Sequence, residues 1–386
     1  MMFGFGAQFH HVAIMGGTPF DALSQIGVTR AGPKSRFAAD GNIVTDAANA
    51  LGLSYDPATG ERLGYHIGGQ VDRLTLHPSV SVATLSAAGG VLTDLGESVF
   101  GQFGGVRVES DGADDDGAAL SIGAVAAGAD VHLDVIYRAP SVGDSAARKV
   151  MVTGDGTNEA SGARGSTSAT GAVSVTSDSE ITPGVWRLRA VFTAPSTTSY
   201  DLRVTPDTAT AGEALDLLYM AAYSGLPAAP VLASPTTQAT QFKDVASTPW
   251  PASLRGVDQR HDLRVRLPFD QPSGSFNFLY QAGVNSDGMR LFINGSSEKV
   301  GALLRVGAAN QGSSTDGPAL VAGQAYSLTT IWTGSGVTLR AGGTDYASAY
   351  SATLPSPTSV TFGQSSTGTD FPDGGIYLDN FTARRL

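Results

Sequence analysis

The sequence predicts an all-β chain of tandem antiparallel β-sandwiches behind an extended N-terminal anchor segment, and three observations carry that prediction. Short runs that alternate apolar and polar residues recur along most of the chain, the period-two pattern of half-buried strands. Gly makes up 49 of 386 residues while charged residues are only 15%, below the roughly 25% of ordinary soluble domains, so the surface is neutral and turn-rich. No amphipathic run long enough for a sizeable helix stands out. With 41% hydrophobic residues and a length of 386, the chain can build two or three modules, each with its own core.

The elements follow in order. Residues 1–78 are Gly-rich, hold four of the six His, and read as an anchor and entry segment, with Asp40-Gly41 as a turn. Residues 79–230 are strand-dominated. VHLDVIY (131–137) alternates cleanly; VWRLRAVFT (185–193) places Arg187 and Arg189 on the outward side; YDLRV (200–204) alternates again. ALDLLYMAA (214–222) is helical by propensity, but its place at the end of a strand series predicts a closing strand. Residues 154–179 are almost all small or polar and predict an exposed loop or a weak edge pair. Pro-rich LPAAPVLASP (226–235) opens a stiff linker over 231–253. The final module, 254–386, holds RHDLRVRL (260–267), GMRLFIN (288–294), ALLRV (302–306), YSLTTIW (326–332), VTLR (337–340), VTFG (360–363) and GIYLDNF (375–381). Strands at such short spacing, separated by Gly, Asn, Asp and Ser, describe an antiparallel sandwich.

Composition narrows the function classes. Lys plus Arg total 24 against 35 Asp plus Glu, a net charge of −11, with no basic stripe to neutralise phosphates; nucleic acid and anionic membrane surfaces are disfavoured partners. There is no Cys, so disulfides, Cys-ligated zinc and thiol catalysis are excluded. No apolar run reaches the ~18 residues of a membrane span, and residues 1–9 lack the basic start and cleavage site of a signal peptide. An extracellular-type body without a secretion signal suits a particle protein released by lysis.

Two stretches resemble a known group. Ala48-Asn49, followed by YDPATGERLG (55–64) and continued by Ile67, Gln70 and Leu74, resembles the segment that precedes a jelly roll in phage tail and virion-associated carbohydrate-binding proteins. The chain departs from that pattern at Tyr65-His66 and Gly68, where Leu-Leu and Glu are usual, and at Val71-Asp72-Arg73, where Arg-Thr-Asn is usual. Gly184-Val185-Trp186-Arg187 and the run from Leu215 to Pro230 are similar to the last strands and exit of those jelly rolls. The final module is similar to concanavalin A-like (laminin G-like) sandwiches, with 326–332 and 337–341 as a hairpin and Leu378-Asp379-Asn380-Phe381 as the returning strand. The fold this implies is an anchor over 1–78, a jelly roll over 79–230, a linker, and a concanavalin A-like sandwich over 254–386.

The resemblance implies a spike, fibre or tail-tip component on the surface of a phage or phage-like particle, holding host surface polysaccharide. Sugars are neutral and hydroxyl-dense, gripped by aromatic faces and amide or carboxylate side chains rather than by net charge. Repetition on a particle supplies avidity. Trp186 and Trp332 lie in alternating strands and read as core. Trp250, between Pro249 and Pro251, is the exposed candidate for sugar stacking, with packing between the sandwiches as the alternative. Asp111, Asp114, Asp115 and Asp116 offer hard oxygens around one turn for a Ca²⁺, although their spacing is not that of an EF-hand, and a solvated acidic loop is the alternative. Asp287 and Asp316 are weaker candidates of the same kind. Phe3, Phe5 and Phe9 read as an interface arm toward other virion proteins or another subunit.

A glycanase needs two carboxylates across a groove. The seven Glu (61, 97, 109, 159, 180, 213 and 298) place no such pair on one strand face, and no G-x-S-x-G elbow stands between a strand and a helix. The expectation is a binder and not an enzyme. A purely structural capsid or tail decoration is the alternative, and a polysaccharide depolymerase the minor one. Particle proteins occupy symmetry axes, so a homo-oligomer is expected, a trimer or, at a vertex, a pentamer.

Overall fold

Period-two runs become strands in the computed structural model, which describes residues 19–75, 80–96, 104–113, 117–230, 239–241, 243–270, 276–314, 317–365, 372 and 374–386. Among these residues there is no α-helix, only the 3₁₀ turns Leu23–Gln25 and Ala252–Leu254. The chain is all-β, and its antiparallel strands form two sandwiches.

In the first sandwich, one sheet runs Ser168–Thr170, Val173–Thr182, Val185–Thr193, Asp130–Arg138, Ala214–Tyr223, Val106–Glu109, Val91–Asp94. Val71–Arg73 joins it at Tyr223 and carries Ala239–Gln241. The facing sheet runs Gly156–Ala163, Ala147–Gly154, Thr198–Pro206, Gly117–Val125, Ser86–Ala88. Inward residues at every second position, among them Val131, Leu133, Val135, Val150, Leu202 and Leu217, form one core. Each such side chain stabilises the fold by roughly 1.5–3 kcal/mol. The small-residue stretch 154–179 is neither a free loop nor a single edge pair: Gly156–Ala163 and Ser168–Thr170 are edge strands of the two facing sheets, paired to Ala147–Gly154 and Val173–Thr182 respectively.

The second sandwich has one sheet ordered Thr344–Ala349, Gly336–Ala341, Ala325–Thr333, Gln259–Arg266, Ile376–Arg385, Arg62–Ile67, Leu53–Tyr55, with Phe20–Asp21 also paired to Ile376–Arg385. The other is ordered Gly27–Thr29, Val245–Pro249, Ser359–Phe362, Asn277–Gly283, Gly288–Ile293, Val300–Val306, Ala309–Ser314.

This pairing departs from the expected division of the chain. Phe20–Asp21, Gly27–Thr29, Leu53–Tyr55 and Arg62–Ile67 belong to the second sandwich: Ile67 pairs with Ile376 and Val28 with Ala246. Part of the expected linker is also strand, since Val245–Pro249 pairs with Ser359–Phe362. The second sandwich therefore begins before the first, and the first is an insertion within it. The exit and return of the chain are clasped together: Gly68 N–H donates to Asp244 Oδ2 (3.0 Å), and Asp244 N–H donates to Gly68 O (2.9 Å).

Ala214–Tyr223 is a strand, and all ten of its residues are buried. Opposite Asp130–Arg138 the register jumps so that Ile136 faces Tyr219 and Tyr137 faces Leu217. The extra residue, Leu218, forms a bulge that shifts the alternation. Leu215, Leu217, Met220 and Ala222 enter the first core, while Leu218, Tyr219, Ala221 and Tyr223 face the other way. That second face meets Phe37 and Ile43 of the hairpin Lys34–Phe37/Ile43–Asp46. Asp40-Gly41 is its turn, as expected, with Gly41 at φ +78° and Asp40 Oδ1 accepting from Asn42 N–H (3.0 Å).

Arg187 also corrects the sequence reading. It does leave the first core, but it faces the second sandwich and is buried, donating to Asp134 through Nε (2.8 Å) and Nη2 and to Ala228 O through Nη1 (3.0 Å). Period two fixes which face a side chain takes, not what covers that face.

Candidate functional site

The three strands Asn277–Gly283, Gly288–Ile293 and Val300–Val306, with Ala309–Ser314 at their edge, send Leu279, Tyr280, Ala282, Met289, Leu291, Ile293, Val300, Ala302 and Leu304 inward. The alternate positions face away from that core. Register aligns them in rows: Phe278 opposite Phe292, then Gly301; Arg290 opposite Leu303; Arg305 opposite Asn310. Phe276, just before the first of these strands, lies beside them and is 53% exposed.

Together Phe276, Phe278, Arg290, Phe292, Leu303, Arg305 and Asn310 line a hollow of about 350 Å³ open to solvent. The Phe276 and Phe292 rings are tilted, with centroids 5.3 Å apart, and Phe278 lies 6.5 Å from Phe292. Arg290 sits over the Phe278 ring at 5.4 Å, a cation–π contact that holds its fork against the aromatic floor. Its Nη2 donates to Asn285 O. Arg305 Nη2 donates to Ala308 O, while its Nε is buried without a partner among the described residues.

Glycine at 301 makes room for this floor. A Cβ there would meet Phe292 Cζ at 2.8 Å and Ser314 O at 2.7 Å. The rim is tied down as well. Gly307 and Ala308 both have positive φ (58° and 66°), the geometry of a tight hairpin turn. Gly307 N–H donates to Asp287 Oδ1 and Ala308 N–H to Ser286 O, each at 2.8 Å. Asp287, a weak metal candidate by sequence, thus serves as a loop tie.

An aromatic face half open to water beside guanidinium and amide groups can take the C–H face of a sugar ring and hydrogen-bond its hydroxyls. Three Phe at 276, 278 and 292 on one sheet face were legible in principle as a period-two Phe-x-Phe beside GMRLFIN. Within a single alternating strand, such phenylalanines carry no mark that distinguishes them from core residues.

The sequence-chosen residues fall elsewhere. Trp250 is 1% exposed, in the core of the second sandwich, with ring centroids 5.1 Å from His261 and 5.8 Å from Phe20. It is neither a sugar platform nor a bridge between sandwiches: its backbone N–H donates to Thr358 O (2.8 Å) and its indole Nε1–H points at Leu254 O (3.5 Å) inside the same sandwich. Trp332 is fully buried in the same core, and Trp186 packs half-buried against the first. Asp111 is exposed after strand Val106–Glu109, while Asp114, Asp115 and Asp116 lie outside the described residues. Among the described residues no three His, Asp or Glu gather as a metal centre. Phe3, Phe5 and Phe9, and Asp316, also lie outside the described residues.

His261 illustrates a buried polar group fully accounted for by structure. Trp332 Nε1–H donates to Thr330 Oγ1 (2.9 Å), which meets the Tyr280 hydroxyl at 2.7 Å. That hydroxyl meets His261 Nδ1 at 2.8 Å, and Nε2 meets Gln259 Oε1 at 3.1 Å. Neutral His261 with its proton on Nε2 satisfies the chain from end to end. Burial pushes its pKa down to about 3.

No family model matches the chain, and no curated protein matches it in sequence. Among solved structures, the mouse laminin alpha1 chain, domains LG4-5, is 11% identical, covering 80% of this chain and 90% of its own, at a TM-score of 0.26. The N-terminal CBM22-1-CBM22-2 tandem domain from Paenibacillus barcinonensis Xyn10C is 12% identical, with coverage of 83% and 99% and a TM-score of 0.29. An alginate lyase from Alteromonas sp. 272 is 12% identical, with coverage of 37% and 76% and a TM-score of 0.21. Superpositions this loose carry no argument, and the fold stands on the strand pairing of the chain itself.

Proposed function

We propose that this chain is a glycan-binding protein of the surface of a phage or phage-like particle, with the Phe276 hollow as a sugar site. The observation that supports it is the half-exposed Phe276 ring set beside Phe292, with Arg305 and Asn310 within the same hollow. An aromatic left open to water has a cost that a ligand relieves, and the flanking donors suit hydroxyls. The virion setting comes from the YDPATGERLG segment and its resemblance. Assembly as a homo-oligomer, with the N-terminal arm of Phe3, Phe5 and Phe9 toward other virion proteins, belongs to the same proposal. It takes the chain to be a binder and not an enzyme.

The test is a pull-down of purified protein with capsular polysaccharide and intact cells of the host, comparing wild type with Phe276→Ala. Saturable binding that falls at least about tenfold in Phe276→Ala, with unchanged thermal unfolding, supports the reading. Equal binding by both proteins removes the site, and no binding by either leaves a structural decoration. Release of oligosaccharide would replace binding by depolymerisation. Repeating the assay in EDTA tests the calcium expected of Asp111, Asp114, Asp115 and Asp116.

A further inference from the structure

Between the two sandwiches lies a second cavity, of about 180 Å³, lined by both of them. Ser177, Ser179, Arg187 and Arg189 come from the first sandwich, and Tyr55, Asp56, Arg266 and Tyr377 from the strands and loops of the second. Its arginines are unequally partnered. Arg187 is neutralised by Asp134. Arg189, two residues along the same strand face, has only a long hydrogen bond to Ala228 O (3.4 Å) and the Phe269 ring, 4.3 Å below its guanidinium. Among the described residues no carboxylate comes within ion-pair distance of Arg189. Arg266 Nη2 reaches the exposed Glu61 at 2.6 Å, but its Nε is buried without a partner among the described residues.

A protein of net charge −11 has thus left the half-buried cation of Arg189 on this small space, beside Arg266, while the one carboxylate on the lining, Asp56, is engaged by the Ala58 and Thr59 amides. Burial, and then the neighbouring Arg187, hold Arg189 down to a pKa of about 9. An anion in the cavity would reverse that penalty. The stacked, planar fork suits a planar carboxylate. Two serine hydroxyls and the tyrosines supply partners for sugar hydroxyls. The cavity is too small for a length of polymer and suits one residue of a chain.

We propose that the cavity between the sandwiches binds the carboxylate of an acidic sugar residue, held by Arg189 and Arg266. This rests on the glycan-binding reading and names the substrate class. Because the ligand would touch both sandwiches, it would also stiffen their arrangement.

The experiment is calorimetric titration of the full chain with short oligogalacturonate and with neutral cello-oligosaccharide, at low and high salt. Wild type is expected to bind the acidic oligomer more tightly than the neutral one, with affinity falling in salt. Arg189→Gln should weaken acidic binding roughly ten- to hundredfold. Arg189→Lys, which keeps charge but loses the fork, should fall between, and it serves if Arg189→Gln does not fold. Equal affinity for both oligomers, or acidic binding unchanged in both Arg189 variants, overturns the inference. Host polysaccharide captured through Phe276 alongside either result would leave the broader reading intact. Loss of acidic binding in Arg189→Gln with no effect of Phe276→Ala on host polysaccharide would sink the Phe276 site and keep this one.

Discussion

Arg30 and Asp244, 214 positions apart, form a 2.7 Å ion pair in which both side chains are fully buried. Asp244 also accepts from Lys34 and from Gly68 N–H, while Arg30 donates to Ala47 O (2.8 Å) and Ala50 O (3.0 Å). One carboxylate therefore holds the entry segment at the point where the chain returns from the inserted sandwich. Asp244→Asn leaves two buried cations without their counter-charge and is expected to cost about 3–5 kcal/mol in urea unfolding. Burial opposes the charge on Asp244, but Lys34, Arg30 and the Gly68 amide outweigh it and hold its pKa below the usual value. The stability it adds is present above the unfolded carboxylate range and is lost as pH falls through the lowered folded value.

Two histidines set a higher acid limit. Burial, then the Lys34 cation, pushes His66 down to about 3; burial pushes His261 down to about 3. Unfolded histidine takes a proton near pH 6.5, where the native rings refuse it. Stability should therefore fall as pH drops from about 6.5 to 3, by roughly 1.4 kcal/mol per pH unit for each ring. Urea midpoints across that range measure the slope, and His261→Gln should make it shallower. A midpoint flat from pH 6 to 4 contradicts the assignment.

Trp250→Ala should destabilise the chain by about 3–5 kcal/mol through the cavity it leaves among Phe20, His261 and Phe381. Fluorescence-monitored unfolding reads this directly. In whatever fraction stays folded, polysaccharide affinity should match wild type.

Gly301→Val tests the floor of the Phe276 hollow from below. With Phe292 and Ser314 already in the way, the branched side chain must push the Phe292 ring aside, costing about 1–3 kcal/mol. Polysaccharide binding should fall with it, whereas Phe276→Ala should lower binding without that loss of stability. Binding by Gly301→Val equal to wild type would detach the ring floor from function.

The strands themselves were legible. Runs such as VHLDVIY and YSLTTIW alternate, and alternation reports local backbone geometry directly. Long-range pairing was not. Nothing in RLGYHI announces that its partner is Ile376–Arg385, because hydrogen-bonded register leaves no mark in a single strand's pattern. Arg187 and Arg189 looked solvent-facing for the same reason: their alternation is right, but a second sandwich stands where water was assumed. Trp250 looked exposed because two prolines suggest a linker, although proline at a strand end is also compatible with a sheet margin. The Phe276 hollow needs two strands, Asn277–Gly283 and Gly288–Ile293, in register before its rings come together.

The inserted arrangement also orders events on the ribosome. The inserted sandwich has its strands in hand soon after residue 223, but Arg62–Ile67 must wait for Ile376–Arg385, about 300 residues later. At roughly 5–20 residues per second, that wait is of the order of fifteen seconds to a minute. For that interval an early sheet edge stays open and needs protection from its neighbours on the same message. A nascent chain stopped short of Ile376 would carry a finished inner domain inside an unfinished outer one, sensitive to protease outside and resistant within.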